Sequence, residues 1–596
     1  MLEGLDRIQA ARVAVEEGRR RFGLEAPVGM MIIESARRRS TVLLGTRGQA
    51  SAASDGQALA VVDWRTAPLA EMYFGLSEGD DWDGPGGSVR LLLKQGLEVR
   101  RGEVLKVFAP TETLSPSAPA QPRTPPRLAV PGGRMGFRSP LDVTLDPAQQ
   151  RVVELPFGEP ALVLGEAGFG KTTVALRRLE ALARLRGRGF RGAVVVPTEG
   201  LRRLTSRALE RRGLGHVEVW TFEGWARREA HQAFKLPSRE SRNASSRTVT
   251  LKRHPALRHV LGDFVGKSRR ATGRRDLLNL FGDTAWLERI VAASGGALHG
   301  LSVAEVAEHT HLQFLQTTER RFAHVTDAAR LRTVDGASID EGTPEEDAET
   351  VDVEDYAVLF ALEAERATRA RRPQRAMARW DALVIDEAQE LAPLELELLR
   401  RGLKPSGALI VAGDAAQQVD PTTSFLGWDS VMTALAAPAH TRSVLEISYR
   451  CPPEVTALAR AVLAGEFRLT EAPSIHLVGA PHEAQALVEL IELLRHLVDR
   501  YPSATLALIA RSPDLARAWA RLLGQALPVH LALEGDFPFG PGVVSTCVAE
   551  VKGLEFDVVV LPDPEGGTWT STPEARRGLY VALTRATHQL VLTTPR

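Results

Sequence analysis

The stretch ALVLGEAGFGKTTVAL, residues 161–176, constrains this chain more than any other. Four apolar residues stop at Gly165, a glycine-rich turn follows, and Lys171, Thr172 and Thr173 open a run with helical spacing. Strand, glycine loop and helix in that order make the G-x-x-x-x-G-K-T phosphate cradle. The loop residues Gly165, Glu166, Ala167, Gly168, Phe169 and Gly170 are expected to curl their backbone N–H groups around phosphate oxygens. The helix N-terminus adds its positive dipole end. Lys171 is then placed for the β and γ phosphates, and the Thr172 hydroxyl for Mg2+. A chance glycine-rich turn would not bring a flanking strand and helix in register.

A phosphate loop of this kind needs a parallel sheet to hold it, and the sequence supplies one. AVVVP, VEVW, ALVID and ALIVAG are short, unbroken apolar runs separated by helical patterns. Strands of a parallel sheet covered on both faces read this way. A second series follows: SIHLVG, TLALIAR, VHLALEG, GVVSTCV, FDVVVLP and QLVLTT. The expected fold class is therefore α/β, with a first lobe over 141–440 and a second over 441–596. A helix-rich block at about 230–370 interrupts the first lobe, basic at its start and acidic at its end. Residues 1–108 read as a small N-terminal α+β unit, with a helical pattern across Arg7–Arg21. Residues 109–140, rich in Pro, Ser and Thr, read as a semi-rigid linker.

Several function classes drop out on composition. The 596 residues carry no formal net charge, so nucleic-acid binding has to come from a local basic patch. Arg202, Arg203, Arg207, Arg211 and Arg212 are one candidate, and a solvated helix face is the equally plain alternative. The two cysteines, Cys451 and Cys547, cannot build a disulfide framework or a cysteine-type zinc site. The charged first residues lack the apolar centre of a signal peptide, and no apolar run reaches membrane-spanning length. The expected location is the cytoplasm.

The remaining chemistry clusters at strand ends. ALVIDEAQEL closes an apolar run on Asp386 and Glu387. A carboxylate there can hold Mg2+, and its neighbour can orient and deprotonate an attacking water. ALIVAGDAAQQ puts Gln417 beyond another strand, within reach of a γ phosphate. Gln149, in LDPAQQ, could read an adenine edge, because its amide both donates and accepts. Phosphoryl transfer also needs positive charge on the far side of the γ phosphate, and Arg450 and Arg585 are the candidates.

The ordered set LDPAQQ, GEAGFGKTT, VVVPTEGL, VWTFEGW, VIDEAQE, VAGDAAQQ, EISYR, VKGLEFD and YVALTRA resembles superfamily 1 helicases of the UvrD type. The resemblance implies two RecA-like P-loop NTPase lobes using ATP and Mg2+. Gln149, Gly165–Thr173, Gly553 and Glu555 would hold the nucleotide, with Glu555 near the ribose. Thr172 and Asp386 would hold the metal. Lys171, Asp386, Glu387, Gln417, Arg450 and Arg585 would carry catalysis. Thr198, Thr221 and Phe222 would line a nucleic-acid track, with 3′ to 5′ movement. The chain departs from the pattern where Cys547 and Ala549 replace Thr and His, and where Phe425 and Trp428 stand at altered spacing. The stretch LAVVDWRTAPLAEMYFG, residues 59–75, and VDVEDYAVLFAL, residues 351–362, resemble the HelD branch, whose members bind RNA polymerase. On this reading residues 59–75 complete the fold of the first lobe. The second-lobe insertion of UvrD-type members and the long N-terminal coiled coil of HelD members have no counterpart in this sequence. The implied job is a DNA motor acting as a monomer. The alternatives are an ATPase that remodels RNA polymerase, or a nucleotide-binding module without turnover.

Overall fold

A computed structural model describes residues 4–595, apart from 25, 36–37, 46–47, 52–57, 65–66, 68, 85–86, 101, 111, 117, 123–144, 242, 268–271, 326–331, 333–342, 378, 447–450, 481–482 and 566. It divides into two compact units: Ser139–Tyr449, and Met1–Arg138 together with Arg450–Arg596.

The Ser139–Tyr449 unit is built on a six-stranded sheet in the order Glu218–Thr221, Gly192–Val196, Trp380–Ile385, Leu403–Gly413, Ala161–Leu164, Thr441–Val444. Every pairing in it is parallel. Its strands Ala161–Leu164 and Gly192–Val196 are buried along their length, which is why they read as unbroken apolar runs. Strands Ala161–Leu164, Trp380–Ile385 and Leu403–Gly413 run side by side, so the loops leaving their C-terminal ends meet at one edge of the sheet. Ligands of open α/β sheets bind at such an edge.

The insertion expected at about 230–370 is helical, with helices Ser246–Arg253, Ala256–Lys267, Arg274–Phe281, Thr284–Ala293, Leu301–Gln313 and Val353–Arg369. A short parallel pair, Arg239–Glu240 with Thr350–Val351, closes its neck. Leu257, Leu280 and Leu359 of the insertion share one core with Leu162, Val195 and Leu383 of the sheet, so it packs as part of this unit. The acidic end of this block is not a solvated face at its last residues. Asp352 and Asp355 are buried against Lys252, at 2.6 and 2.8 Å.

In the other unit, residues from Arg450 onward form a six-stranded parallel sheet in the order Ile475–Ala480, Ala586–Pro595, Phe556–Pro562, Thr505–Ala510, Gly542–Cys547, Val529–Leu531. The N-terminal residues form a mixed nine-stranded sheet among the described residues. Its reach corrects the linker boundary. Glu112–Ser115 and Ala118–Pro122 are strands that extend this sheet, so the Pro-rich stretch opens inside the fold. The rest of that stretch, 123–140, lies outside the described residues.

The opening block of the HelD-like stretch is also reassigned. Trp64, Tyr73 and Phe74 pack with Leu487, Leu490, Leu494 and Leu497 of helix Glu483–Arg500, in the same unit as the second lobe. The Arg495 guanidinium donates to the Gly75 and Ala526 carbonyls at 3.2 and 2.6 Å. Lys94 Nζ donates to the Tyr73 carbonyl at 3.0 Å. The segment therefore completes the C-terminal lobe rather than the first. Sequence adjacency favoured the wrong partner, because the apolar face it covers lies some four hundred residues further on. The faces match in size: Tyr73 and Phe74 meet edge-on at 5.2 Å and cover a leucine-lined helix. Phe74→Ala is expected to cost about 3–5 kcal/mol. Chemical denaturation monitored by tryptophan fluorescence would read that loss.

Candidate nucleotide site

The phosphate loop is held from two sides. Asp146 caps helix Pro147–Val153, and its carboxylate accepts from the Ala148 and Gln149 amides at 2.6 and 2.8 Å. Gln149 Oε1 returns the bond, accepting from the Asp146 amide at 3.1 Å, and Gln149 Nε2 donates to the Phe169 carbonyl at 3.1 Å. Each end of this amide thus makes one bond to the chain itself, which fixes its orientation beside the loop, and Gln149 is buried. Gly170 has φ +84°, and a Cβ there would come within 2.7 Å of Gln149 Nε2. Backbone freedom and space both require glycine at that point.

Helix Lys171–Arg186 starts immediately after the loop. Lys171 Nζ donates to the Gly165 and Glu166 carbonyls at 2.9 and 3.0 Å, so the ammonium folds over its own loop. Thr172 Oγ1 donates to Asp386 Oδ2 at 2.7 Å, joining the loop to the end of strand Trp380–Ile385. Burial and the adjacent Glu387 carboxylate push the Asp386 carboxyl up to about 6, against the Thr172 hydrogen bond and the Lys171 charge. A buried carboxylate bonded to a hydroxyl, with a second buried carboxylate next to it in the chain, suits a divalent cation. Mg2+ is typically held by one or two carboxylates plus phosphate oxygens.

Glu387 has φ +52°, a left-handed conformation in a non-glycine residue, and is buried. Such strain persists only where the surroundings enforce it. Here they do. Gln389 Nε2 donates to Glu387 Oε2 at 2.7 Å, and Gln389 Oε1 accepts from the Asp414 amide at 3.1 Å. Asp414 Oδ2 in turn accepts from Gln417 Nε2 at 3.0 Å. A continuous chain Glu387–Gln389–Asp414–Gln417 joins the two loops. Gln389 and Asp414 were missed as site residues. The signal was present in DEAQ and GDAAQQ, where each lies two or three residues from an assigned one.

Gly413 makes the join possible, since a Cβ there would come within 2.2 Å of the Trp428 ring and 2.5 Å of Gln389 Oε1. Gly413→Ala is expected to lower turnover about tenfold or more by displacing Gln389, because small misplacements at a reacting centre are costly. Steady-state kinetics beside a nucleotide-binding titration would check it.

The remaining candidates have other places. Thr198 and Thr221 are helix caps whose hydroxyls accept from the Leu201 and Gly224 amides at 3.2 and 3.1 Å. Phe222 is buried in the core of its unit. Arg202 pairs with Glu199 at 2.6 Å, and Arg212 lies 3.4 Å from Glu180. Phe425 and Trp428 meet edge-on at 5.1 Å. In the C-terminal unit the Arg585 side chain is buried and donates to the Val581 and Leu554 carbonyls at 2.9 and 3.4 Å. It thereby fastens YVALTRA to VKGLEFD, the segment carrying Gly553 and Glu555. Cys547 ends a buried strand, so the hydroxyl of the family pattern is replaced there by a thiol. Arg450 lies outside the described residues. A cavity of about 290 Å3, lined in part by Arg191, Arg228 and Arg375, opens where the strands begin and belongs to no motif above.

Two domain families match parts of the chain. Residues 149–422 match the AAA domain family, and residues 542–593 match the UvrD-like helicase C-terminal domain. No curated protein matches the chain. A solved structure, the C-terminal domain of a possible DNA helicase from Lactobacillus plantarum WCFS1, shares 23% identity over 25% of this chain and 88% of its own, with a TM-score of 0.21. Among the described residues no helix is long and apolar enough to cross a membrane. The two domain matches, one spanning the phosphate loop and the other the YVALTRA segment, support a superfamily 1, UvrD-type helicase.

Proposed function

We propose that this chain is an ATP-hydrolysing nucleic-acid motor that moves 3′ to 5′ on single-stranded or tailed DNA, acting as a monomer in the cytoplasm. The observation that carries the reading is the hydrogen bond from Thr172 to Asp386, with Glu387 held beside it by Gln389. Residues 165–173 receive the triphosphate, and Lys171 exchanges its loop carbonyls for phosphate oxygens. Thr172 and Asp386 would hold Mg2+, which would supply positive charge to the phosphate oxygens. Glu387 orients a water and takes its proton, and Gln389 keeps that carboxylate in place. Gln417 reports the γ phosphate to the rest of its loop. Arg450 and Arg585 supply positive charge to the same reaction, and Gly553 and Glu555 contact the nucleotide. Thr198, Thr221 and their neighbours face the nucleic acid.

The test is Mg2+-dependent ATP hydrolysis by the purified chain, with and without single-stranded DNA, beside strand displacement on a tailed duplex. Turnover that DNA stimulates, with unwinding, supports the reading. Absence of turnover under all conditions leaves a nucleotide-binding module.

A second reading is an ATPase that remodels RNA polymerase. It is favoured by the packing of Trp64, Tyr73 and Phe74 on the C-terminal lobe, since that block carries the HelD resemblance. Co-purification with RNA polymerase, without unwinding, would select it.

A further inference from the structure

Lys252 and Arg253 are consecutive in helix Ser246–Arg253 of the insertion, and neither faces solvent. Neighbouring residues of a helix point about 100° apart, so the two cations reach into different surroundings. Lys252 is locked into the insertion. Its ammonium meets Asp352 and Asp355, and Asp352 also lies 3.0 Å from His309 Nε2 and accepts from Gln313 Nε2 at 2.8 Å. Asp352 opens helix Val353–Arg369, so Lys252 is fixed to that helix.

Arg253 reaches the other way. Its Nη2 donates to the Glu390 carbonyl at 2.9 Å and to Glu395 Oε2 at 3.1 Å. Its Nη1 donates to Asp420 Oδ2 at 2.6 Å and to Thr422 Oγ1 at 2.8 Å. Glu390 lies three residues beyond Glu387, and Asp420 three beyond Gln417. Glu390 Oε1 also accepts from the Val419 amide at 2.9 Å. One guanidinium therefore ties down the far ends of both loops whose near ends are joined through Gln389. The planar fork of arginine suits this use, because four acceptors on two segments are met by one rigid group. Burial alone would raise the Asp420 carboxyl, and the Arg253 charge instead holds it below the usual carboxylate range.

We propose that Arg253 is a positioning residue for the nucleotide site, and that the Lys252–Arg253 step makes turnover answer to the state of the helical insertion. The inference rests on the ATPase reading above and adds its regulation. With Lys252 fixed to Asp352 and Asp355, any shift of helix Val353–Arg369 against the loops draws on Arg253. The loops carrying Glu387 and Gln417 then move or lose their clamp. A ligand engaging the insertion thus acts on catalysis without touching the nucleotide.

Three variants test this. Arg253→Lys keeps the charge and loses the fork. Asp420→Asn removes one acceptor while Glu390 and Glu395 still satisfy the arginine. Asp355→Asn loosens the Lys252 anchor and leaves Asp352. ATP affinity should stay within about twofold, while kcat falls about tenfold to a hundredfold in Arg253→Lys and Asp420→Asn and no further in their double variant. Asp355→Asn should lower kcat in the same direction. Hydrogen exchange of peptides 386–391 and 414–423 should quicken in all three variants, with peptide 161–176 unchanged. A merely structural role would lower the melting temperature and quicken peptide 161–176 along with the other two, and would leave kcat per folded molecule alone. That result overturns the proposal, and unchanged exchange in Asp355→Asn overturns the coupling. The exchange measurement needs no turnover, so it decides the positioning claim even if the wild type fails to hydrolyse ATP.

Discussion

Glu387→Gln is expected to lower ATP turnover by about 10²–10⁴-fold with nucleotide affinity retained, the size of effect that general-base loss produces. The substitution is close to isosteric. The amide oxygen of the substituted side chain can still accept from Gln389 Nε2, as Glu387 Oε2 does at 2.7 Å, so the loop keeps its geometry. What disappears is the basicity that takes a proton from water. Lys171→Ala should behave differently. The lysine bonds the Gly165 and Glu166 carbonyls and is the phosphate-binding cation of the loop, so its loss weakens nucleotide binding and turnover together. Steady-state kinetics paired with titration of a fluorescent ATP analogue separates the two patterns. Wild-type rates in Glu387→Gln would remove the assignment of the base.

Lys252→Met is expected to destabilise the Ser139–Tyr449 unit by about 3–5 kcal/mol, the cost of breaking a buried ion pair by deleting one partner. Lys252 and its carboxylate partners are almost wholly inaccessible, at 0% for Lys252 and 1% for each Asp. Burial would lower the ammonium's affinity for its proton, yet the two carboxylates override burial and hold its pKa above the usual lysine value. Without it, two carboxylates share a dry site, Asp352 relieved by His309 and Gln313 and Asp355 by the Asp352 amide. Changing Asp352 and Asp355 to Asn in the same chain should recover much of the loss, since the charges themselves are the problem. Thermal unfolding of the single and triple variants measures both. A Lys252→Met protein as stable as wild type would mean that water reaches the cluster.

These two sites also mark what the sequence could and could not reveal. Strands such as Ala161–Leu164 and Thr505–Ala510 were legible because a parallel strand covered on both faces has to be apolar throughout. Lys171, Thr172, Asp386 and Glu387 were legible because phosphate chemistry ties residue type to position in a loop. Lys252 and Arg253 were not. Inside the basic stretch SRTVTLKRH they look like any solvated charges, and their partners lie 100 and 167 residues away. Strand Thr441–Val444, reading TRSV, has no apolar pattern, because it lies at a sheet edge with alternate residues exposed. Gln149 is expected to meet a ligand on the strength of its amide, and its bonds to Asp146 and Phe169, which orient that amide, were not legible. Side-chain chemistry named a capability in each case, and only the fold decided who used it.

The sheet that contains Leu43, Val61 and Leu91 shares its unit with a lobe encoded after Arg450, while the entire phosphate-binding unit is encoded between them. During synthesis, Trp64 and Phe74 emerge long before Leu490 and Leu494. At a ribosomal rate of about 5–20 residues per second, that interval is roughly 20–80 s. For that time an apolar sheet face stands uncovered while the intervening unit is made and folds. Trp64 and Phe74 therefore wait for a covering helix, Glu483–Arg500, that is made only after the whole of the intervening unit.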